Sequence, residues 1–176
     1  MAEQIKYTLE EANQYFAVAF NNKIWKLFEK KESTEDEQEE IINLAHASLL
    51  HWSNSPGCKK ANLQRGEYMI SMAYIHAGRK EQALYYAKRC IKITEDRAEE
   101  NEDFDLAYAY LVIAMALNLN NLKEEAARYL EDAKKLGENI AGEKDKRIFI
   151  SDLKDAIEGV LASLPPSDKA VIDEAQ

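Results

Sequence analysis

Apolar residues along this chain recur every three to four positions, the spacing that gathers them on one face of an α-helix. From about Leu9 to Lys30, Phe16, Phe20, Ile24, Leu27 and Phe28 fall on one side. Ser33 and Thr34 offer caps for a second helix. Thr34 with Glu37 has capping-box spacing, in which each side chain satisfies an orphan backbone donor. That helix carries Ile41, Ile42, Ala45, Leu49 and Trp52 until Ser53-Asn54-Ser55-Pro56-Gly57 breaks the chain. A third helix is predicted over about Lys59 to Ala77, with Gly78 as its C-cap. A fourth spans about Lys80 to Asp96, with Ala83, Leu84, Ala87, Cys90 and Ile91 in one stripe. Asp103 or Asp105 can cap a fifth, which ends at Asn120-Asn121. A sixth runs from about Leu122 to Leu136 before Gly137, and a seventh from about Asp145 to Leu164. The seventh has Phe149, Leu153, Ile157, Val160 and Leu164 as its seam and is stopped by Pro165-Pro166. No segment alternates with period two over a useful length, so no strand is predicted.

Neighbouring helices differ in how much of their surface is apolar. The third (Tyr68 to Ile70, Met72 to Ile75) and the fifth (Leu106 to Leu117) are apolar nearly all round, whereas the fourth, sixth and seventh carry one stripe and a charged back. A helix apolar on every face must be covered on every face. Alternation of enclosed and half-enclosed helices joined by short turns is what a layered stack of antiparallel hairpins requires.

Composition agrees with this and narrows the partners. Six Gly and three Pro are few for a turn-rich β architecture. A length of 176 residues suffices for one domain with a sizeable core, expected over 1–164, with 165–176 as a polar, disordered tail. The net charge of -9, densest over Glu35 to Glu40, argues against nucleic acid and anionic membrane, both of which need concentrated Lys and Arg. The plain reading of that acidic run is a solvated first helical turn. The longest apolar run, Leu106 to Leu117, is too short to span a bilayer. Met-Ala-Glu-Gln-Ile-Lys lacks the apolar core of a signal peptide. Cys58 and Cys90 form no CxxC and no disulfide framework, so a reducing cytoplasm is expected.

Two of the hairpins repeat. Ala73-Tyr74 is followed by Gly78, Ala83, Ala87, Cys90 and Ile93, and, at identical offsets 43 residues on, Ala116-Leu117 is followed by Asn121, Ala126, Leu130, Ala133 and Leu136. Small residues recur where helix backbones approach closely, and larger ones fill the gaps. This resembles the tetratricopeptide pattern, with Ser71 and Ala114 where that pattern has Gly and a spacing longer than usual. Central repeats fall at about 63–95 and 106–137. Ala45, Leu49 and Trp52 suggest a degenerate hairpin before them, and the helix at about 145–164 is a cap. Asn21-Asn22-Lys23-Ile24-Trp25, Ala45-His46-Ala47-Ser48-Leu49 leading to His51-Trp52, and Arg65-Gly66-Glu67-Tyr68 look like strings of an uncharacterised bacterial tetratricopeptide-repeat-like (TPR-like) family. So do Ala87-Lys88-Arg89-Cys90 and Asp103-Phe104-Asp105-Leu106-Ala107. The resemblance implies a short right-handed superhelix of about seven helices and a bacterial cytoplasmic setting, and it lends no activity.

Candidate chemistry is sparse. His46 and His51 lie about 140° apart around a helix and cannot share a metal, and no HExxH or comparable ligand spacing occurs, so no metal and no cofactor are expected. Cys90 occupies a small-residue position of the repeat and reads as core. Lys59 and Lys60 could depress the Cys58 thiol pKa, although an unreactive Cys58 is the plainer reading. Gly66, isolated within a helix, reads as a close-packing site. No catalytic residue is assigned.

Polar groups in apolar surroundings are the better lead: His46, Ser48, Arg65, Glu67, Arg89, Asp103 and Asp105. Buried charges cost several kcal/mol unless paired, so an Arg–Asp network tying hairpins together is expected. The alternative is that His46, Arg89, Asp103 and Asp105 converge on a pocket for a small polar ligand or a peptide carboxylate. The tetratricopeptide resemblance further implies a concave surface on the first helix of each pair. Its register assigns Arg65, Tyr68, Met69, Met72 and His76, then Tyr108, Leu111, Met115 and Asn118. Met and aromatic side chains suit a peptide with an apolar anchor, although such stripes are more often core. The chain therefore reads as a non-catalytic module for an unknown protein or peptide. A small-ligand sensor or enzyme is the alternative, and self-association through exposed hairpin edges is a third possibility.

Overall fold

A computed structural model describes residues 7–30, 32–96 and 102–162. Seven helices are present among them: α1 (Leu9–Phe28), α2 (Glu35–Ser53), α3 (Lys60–His76), α4 (Lys80–Asp96), α5 (Asp103–Leu119), α6 (Lys123–Glu138) and α7 (Glu143–Ala162). No strand occurs among the described residues. The N-terminal Met1 to Lys6, Leu164, and the tail expected at 165–176 lie outside the described residues.

The helix ends follow local chemistry. Thr34 and Glu37 form the expected capping box, and Thr8 with Glu11 forms another that starts α1. At α5 the cap is Glu102 rather than an aspartate: the Asp105 carboxylate accepts the Glu102 N–H at 2.9 Å from three residues on. Gly137 does not stop α6, which runs through it to Glu138. A Cβ at Gly137 would lie 2.2 Å from the Phe149 ring, so this glycine is kept for close packing of α7 rather than for a turn. Gly66 meets the same demand, its missing Cβ facing Leu49 from α2 at 2.6 Å. The acidic run opens α2, where the helix dipole favours it, and Glu37, Glu39 and Glu40 pair with Lys30, Arg79 and Lys23.

Consecutive helices pack as antiparallel hairpins, α1/α2, α3/α4 and α5/α6, with α7 against α5 and α6. In the first, His51 Nδ1 lies 2.8 Å from Asn13 Oδ1 at one end, and Lys30 reaches Glu37 at the other. The hairpins stack because α3 also packs on α2 and α5 on both α3 and α4. Alanine makes the close approaches possible: Ala73, Ala83 and Ala87 in one repeat and Ala116, Ala126 and Ala133 in the next are fully buried. α5 is enclosed as its sequence requires, with Leu111, Val112, Ile113 and Leu117 nearly inaccessible. Each such side chain contributes about 1.5–3 kcal/mol on burial. On α7, Phe149 and Leu153 are buried and Ile157 is half-buried, so the expected seam is present as far as it is described.

The repeat extends to the backbone. α3 and α5 are both 17 residues long and both are followed, two positions past their last residue, by one of positive φ, Gly78 at 66° and Asn121 at 62°. The Arg79 N–H reaches back to the Tyr74 carbonyl, and the Leu122 N–H to that of Leu117, which closes both turns alike.

Candidate functional site

Stacking sets the first helices of the hairpins, α3 and α5, beside one another, with α7 continuing the row and α1 flanking it. Two cavities lie along this surface. One, of about 400 Å³, is lined by Met72 and Ile75 of α3, Leu111, Met115, Asn118 and Leu119 of α5, and Asp155 and Ala156 of α7. The other, of about 430 Å³, is lined by Gln64, Arg65 and Met69 of α3, Phe104, Asp105 and Tyr108 of α5, Asn21 of α1 and Ile148 of α7. Trp25, Tyr68 and Asp152 border both, so the two form one continuous cleft.

Its floor is rigid. The Tyr68 and Tyr108 rings meet edge to face at 5.7 Å, and Tyr108 meets Phe149 of α7 at 4.9 Å and 90°. The Tyr108 hydroxyl donates to Asp152 at 2.7 Å. Burial pushes both tyrosine phenols well above their ordinary range, and the Asp152 charge adds to each rise. Arg65 donates twice to the buried Asp105, at 2.8 and 3.0 Å, and lies 5.0 Å from the centre of the Phe104 ring. The expected Arg–Asp tie between hairpins is therefore formed by Arg65 and Asp105. Gln64 sits beneath the pair, donating to the Asp105 carbonyl at 3.3 Å, while its Oε1 has no hydrogen-bond partner.

Of the nine residues assigned to the concave surface, Arg65, Tyr68, Met69, Met72, Tyr108, Leu111, Met115 and Asn118 line the cleft. His76 does not. Its Nε2 lies 2.8 Å from Ser33 Oγ and its ring packs on Phe28. His76 lies about 80° around α3 from Tyr68, and at this end of the helix that side meets α1 and the turn after it. Ile75 takes its place, about 20° from Tyr68 on the other side. α1 and α7 border the groove, and the residues they contribute, Trp25, Ile148, Asp152 and Asp155, do not follow from the repeat register. Trp25 and Ile148 remain 45% and 47% exposed, which only the assembled surface reveals.

The four groups expected as one polar cluster do not meet as one. Asp105 belongs to Arg65, and Asp103 accepts the Ala141 N–H at 2.7 Å. Arg89 holds Glu67 of the same hairpin, with both carboxylate oxygens 2.9 Å from its Nε. His46 Nε2 lies 3.1 Å from the Tyr74 hydroxyl, with Tyr86 packed on its ring. Desolvation lowers the His46 pKa below 6.5, against a smaller opposing pull from Glu67. Each group has been taken up by a nearer partner than the sequence could show. The thiols behave likewise. Burial raises Cys90 to about 12, and burial also raises Cys58, so the neighbouring lysines do not depress it. Among the described residues no three His, Cys, Asp or Glu side chains gather as a metal site requires, and no helix is long and apolar enough to cross a membrane.

The fold and cleft together define an all-α stack of helix hairpins with an open channel along one row of helices. Comparison with protein-family models, curated proteins and solved structures gives no match.

Proposed function

We propose that this chain is a non-catalytic interaction module that holds a peptide segment of a partner protein in the cleft along α1, α3, α5 and α7. The observation that carries the reading is the continuity of two largely apolar cavities across Trp25, Tyr68 and Asp152. Shallow elongated clefts with Met, aromatic and a few polar groups suit a chain segment better than a compact metabolite. The alternative of a small-ligand sensor or enzyme loses its main support, because His46, Arg89, Asp103 and Asp105 are engaged separately. Membership of the tetratricopeptide-like family and a cytoplasmic setting belong to the same proposal. They rest on the matched turns at Gly78 and Asn121 and on two free cysteines.

Photo-crosslinking tests it. A benzophenone amino acid placed at Trp25, on the lip of the cleft, is expected to give discrete adducts in extracts of the source cells. The same group at Tyr85, exposed on α4, is not expected to give them. Adducts from Tyr85 but not from Trp25 would overturn the reading.

A second mode has its own observation. Tyr15, Phe16 and Val18 of α1 and Leu50 of α2 are exposed where the stack begins, an apolar end that a second copy would cover. Light scattering at two concentrations decides this: a mass that stays at one chain removes self-association.

A further inference from the structure

The charges around the cleft select its occupant. Among the residues lining it, Arg65 is the cation, and its guanidinium is bound at two points by Asp105. What remains is acidic: Asp152 and Asp155, one turn apart on α7, both exposed and neither paired with a Lys or Arg among the described residues. Asp152 is held in place by the Tyr108 hydroxyl, so its charge has a fixed position. Trp25 and Tyr68 line the same cleft, and aromatic rings attract cations through their quadrupoles. Beneath lies Gln64, 1% exposed, whose Oε1 accepts from nothing in the protein. Gln64 is fixed in that sense, because its amide nitrogen must donate to the Asp105 carbonyl. A buried acceptor without a donor costs free energy.

Resting on the proposed peptide-binding role, we infer that the segment bound in this cleft is basic, presenting a Lys or Arg side chain to Asp152 and Asp155. The aliphatic stem of such a residue lies along Met72, Leu111 and Met115, and its charged end reaches the carboxylates beside Trp25. A C-terminal or acidic segment is disfavoured, since its carboxylates would approach Asp152 and Asp155 with no open cation to answer them. The net charge of -9 adds long-range attraction for the same kind of partner.

The test is selection from a random heptapeptide library at physiological salt against four proteins. These are the wild type, Asp152→Asn/Asp155→Asn, Glu35→Gln/Asp36→Asn as an equal charge loss at the exposed start of α2, and Trp25→Ala/Ile148→Ala. All the altered side chains are exposed, and circular dichroism checks that each variant keeps its helix content. The expected result is enrichment of Lys and Arg by about threefold or more over the input. Asp152→Asn/Asp155→Asn abolishes it and Glu35→Gln/Asp36→Asn does not. A synthetic peptide of the selected sequence then binds the Asp152→Asn/Asp155→Asn protein about five- to tenfold more weakly, a size in keeping with partly exposed ion pairs and cation–π contacts. Peptides free of Lys and Arg enrichment, or enriched in Asp and Glu, yet lost with Trp25→Ala/Ile148→Ala, would overturn the basic occupant and leave the cleft standing. Basic enrichment equal in both charge variants would mark a general attraction to an acidic protein and overturn it too. Selection untouched by Trp25→Ala/Ile148→Ala, or no selection at all, would remove the cleft itself.

Discussion

Position for position, 43 residues apart, the hairpin α3/α4 carries Gln64, Glu67, Ser71 and Thr94 where α5/α6 carries Ala107, Tyr110, Ala114 and Gly137. The first four are all buried, none more than 2% exposed. The two hairpins have the same helix boundaries at their start, the same small residues at the crossing and the same left-handed turn. They differ in what fills the frame. α3/α4 encloses polar groups, most of them answered by a partner, such as Ser71 Oγ donating to the Ala83 carbonyl at 2.9 Å, while Gln64 Oε1 is left without one. The corresponding contact in α5/α6 is apolar. Small residues and turn geometry thus set the architecture, and the buried polar set gives one hairpin its own identity and fixes the neighbours it can accept.

The sharpest break of this comparison is at Arg89 and its counterpart Asp132. Arg89→Ala leaves the Glu67 carboxylate, 3% exposed, without its cation. The cost is about 2–3 kcal/mol, toward the lower end of the range for splitting a buried pair because Arg89 itself is half-exposed. Asp132→Ala, on the exposed back of α6, changes stability by less than about 0.5 kcal/mol. Urea denaturation of both variants checks the contrast, and equal effects would show that the polar hairpin is no different in kind.

Next in size is the pair of helix-embedded glycines. Gly137→Ala drives a methyl into the fully buried Phe149 ring and is expected to cost about 1–2 kcal/mol after the gain in helix propensity. Gly66→Ala meets Leu49 at Cδ1 and, less closely, at Cβ and Cγ, a side chain that can give more than a buried ring, so a smaller cost of under about 1 kcal/mol is expected. Thermal melts rank the two, and the reverse order would mean that α2, not α7, is the tighter neighbour. Smaller again is the exchange at the turns. Gly78→Ala places a Cβ at a φ of 66° and costs about 1 kcal/mol, whereas Asn121→Gly relieves the same strain and gains about 0.5 kcal/mol. A loss on Asn121→Gly would show that the asparagine side chain supports its turn in a way glycine cannot.

The smallest effect is a pH slope confined to the α3/α4 side. His46, against Tyr74 and Tyr86, has a pKa held below 6.5 by desolvation. The unfolded chain therefore binds its proton more readily than the native one. The stabilisation is full above about pH 6.5 and is lost as pH falls from there through the folded value. His46→Gln should flatten melting temperature against pH between 7.5 and 5.5, and an unchanged slope would assign that dependence to other groups.

Most of the fold was legible because the signals were local. Thr34 and Glu37, the break at Pro56-Gly57, and the matched offsets from Ala73 and Ala116 each depend on residues close in sequence. The errors were local signals overruled by packing. Gly137 looks like a helix stop until Phe149, twelve residues on, needs its surface. The α3 and α5 faces of the cleft followed from register, with His76 drawn away by Ser33 and Phe28. Trp25, Asp152 and Asp155 could not be found this way, since nothing in the pattern of α1 or α7 says how those helices are rotated against the stack. The pairing of Glu67 with Arg89 rather than Asp105 with Arg89 is likewise a choice among near neighbours that only the assembled hairpins make.

The cleft can be watched directly through its methionines. Met69, Met72 and Met115 all line it, and a spectrum of the protein labelled with ¹³C at the methionine methyl groups places one signal at each. On titration with a peptide taken from the selection above, the Met72 and Met115 signals are predicted to shift together and saturably. Asp152→Asn/Asp155→Asn should weaken that response. Saturable binding of the same peptide with all three signals unmoved would place it elsewhere on the molecule and contradict the account.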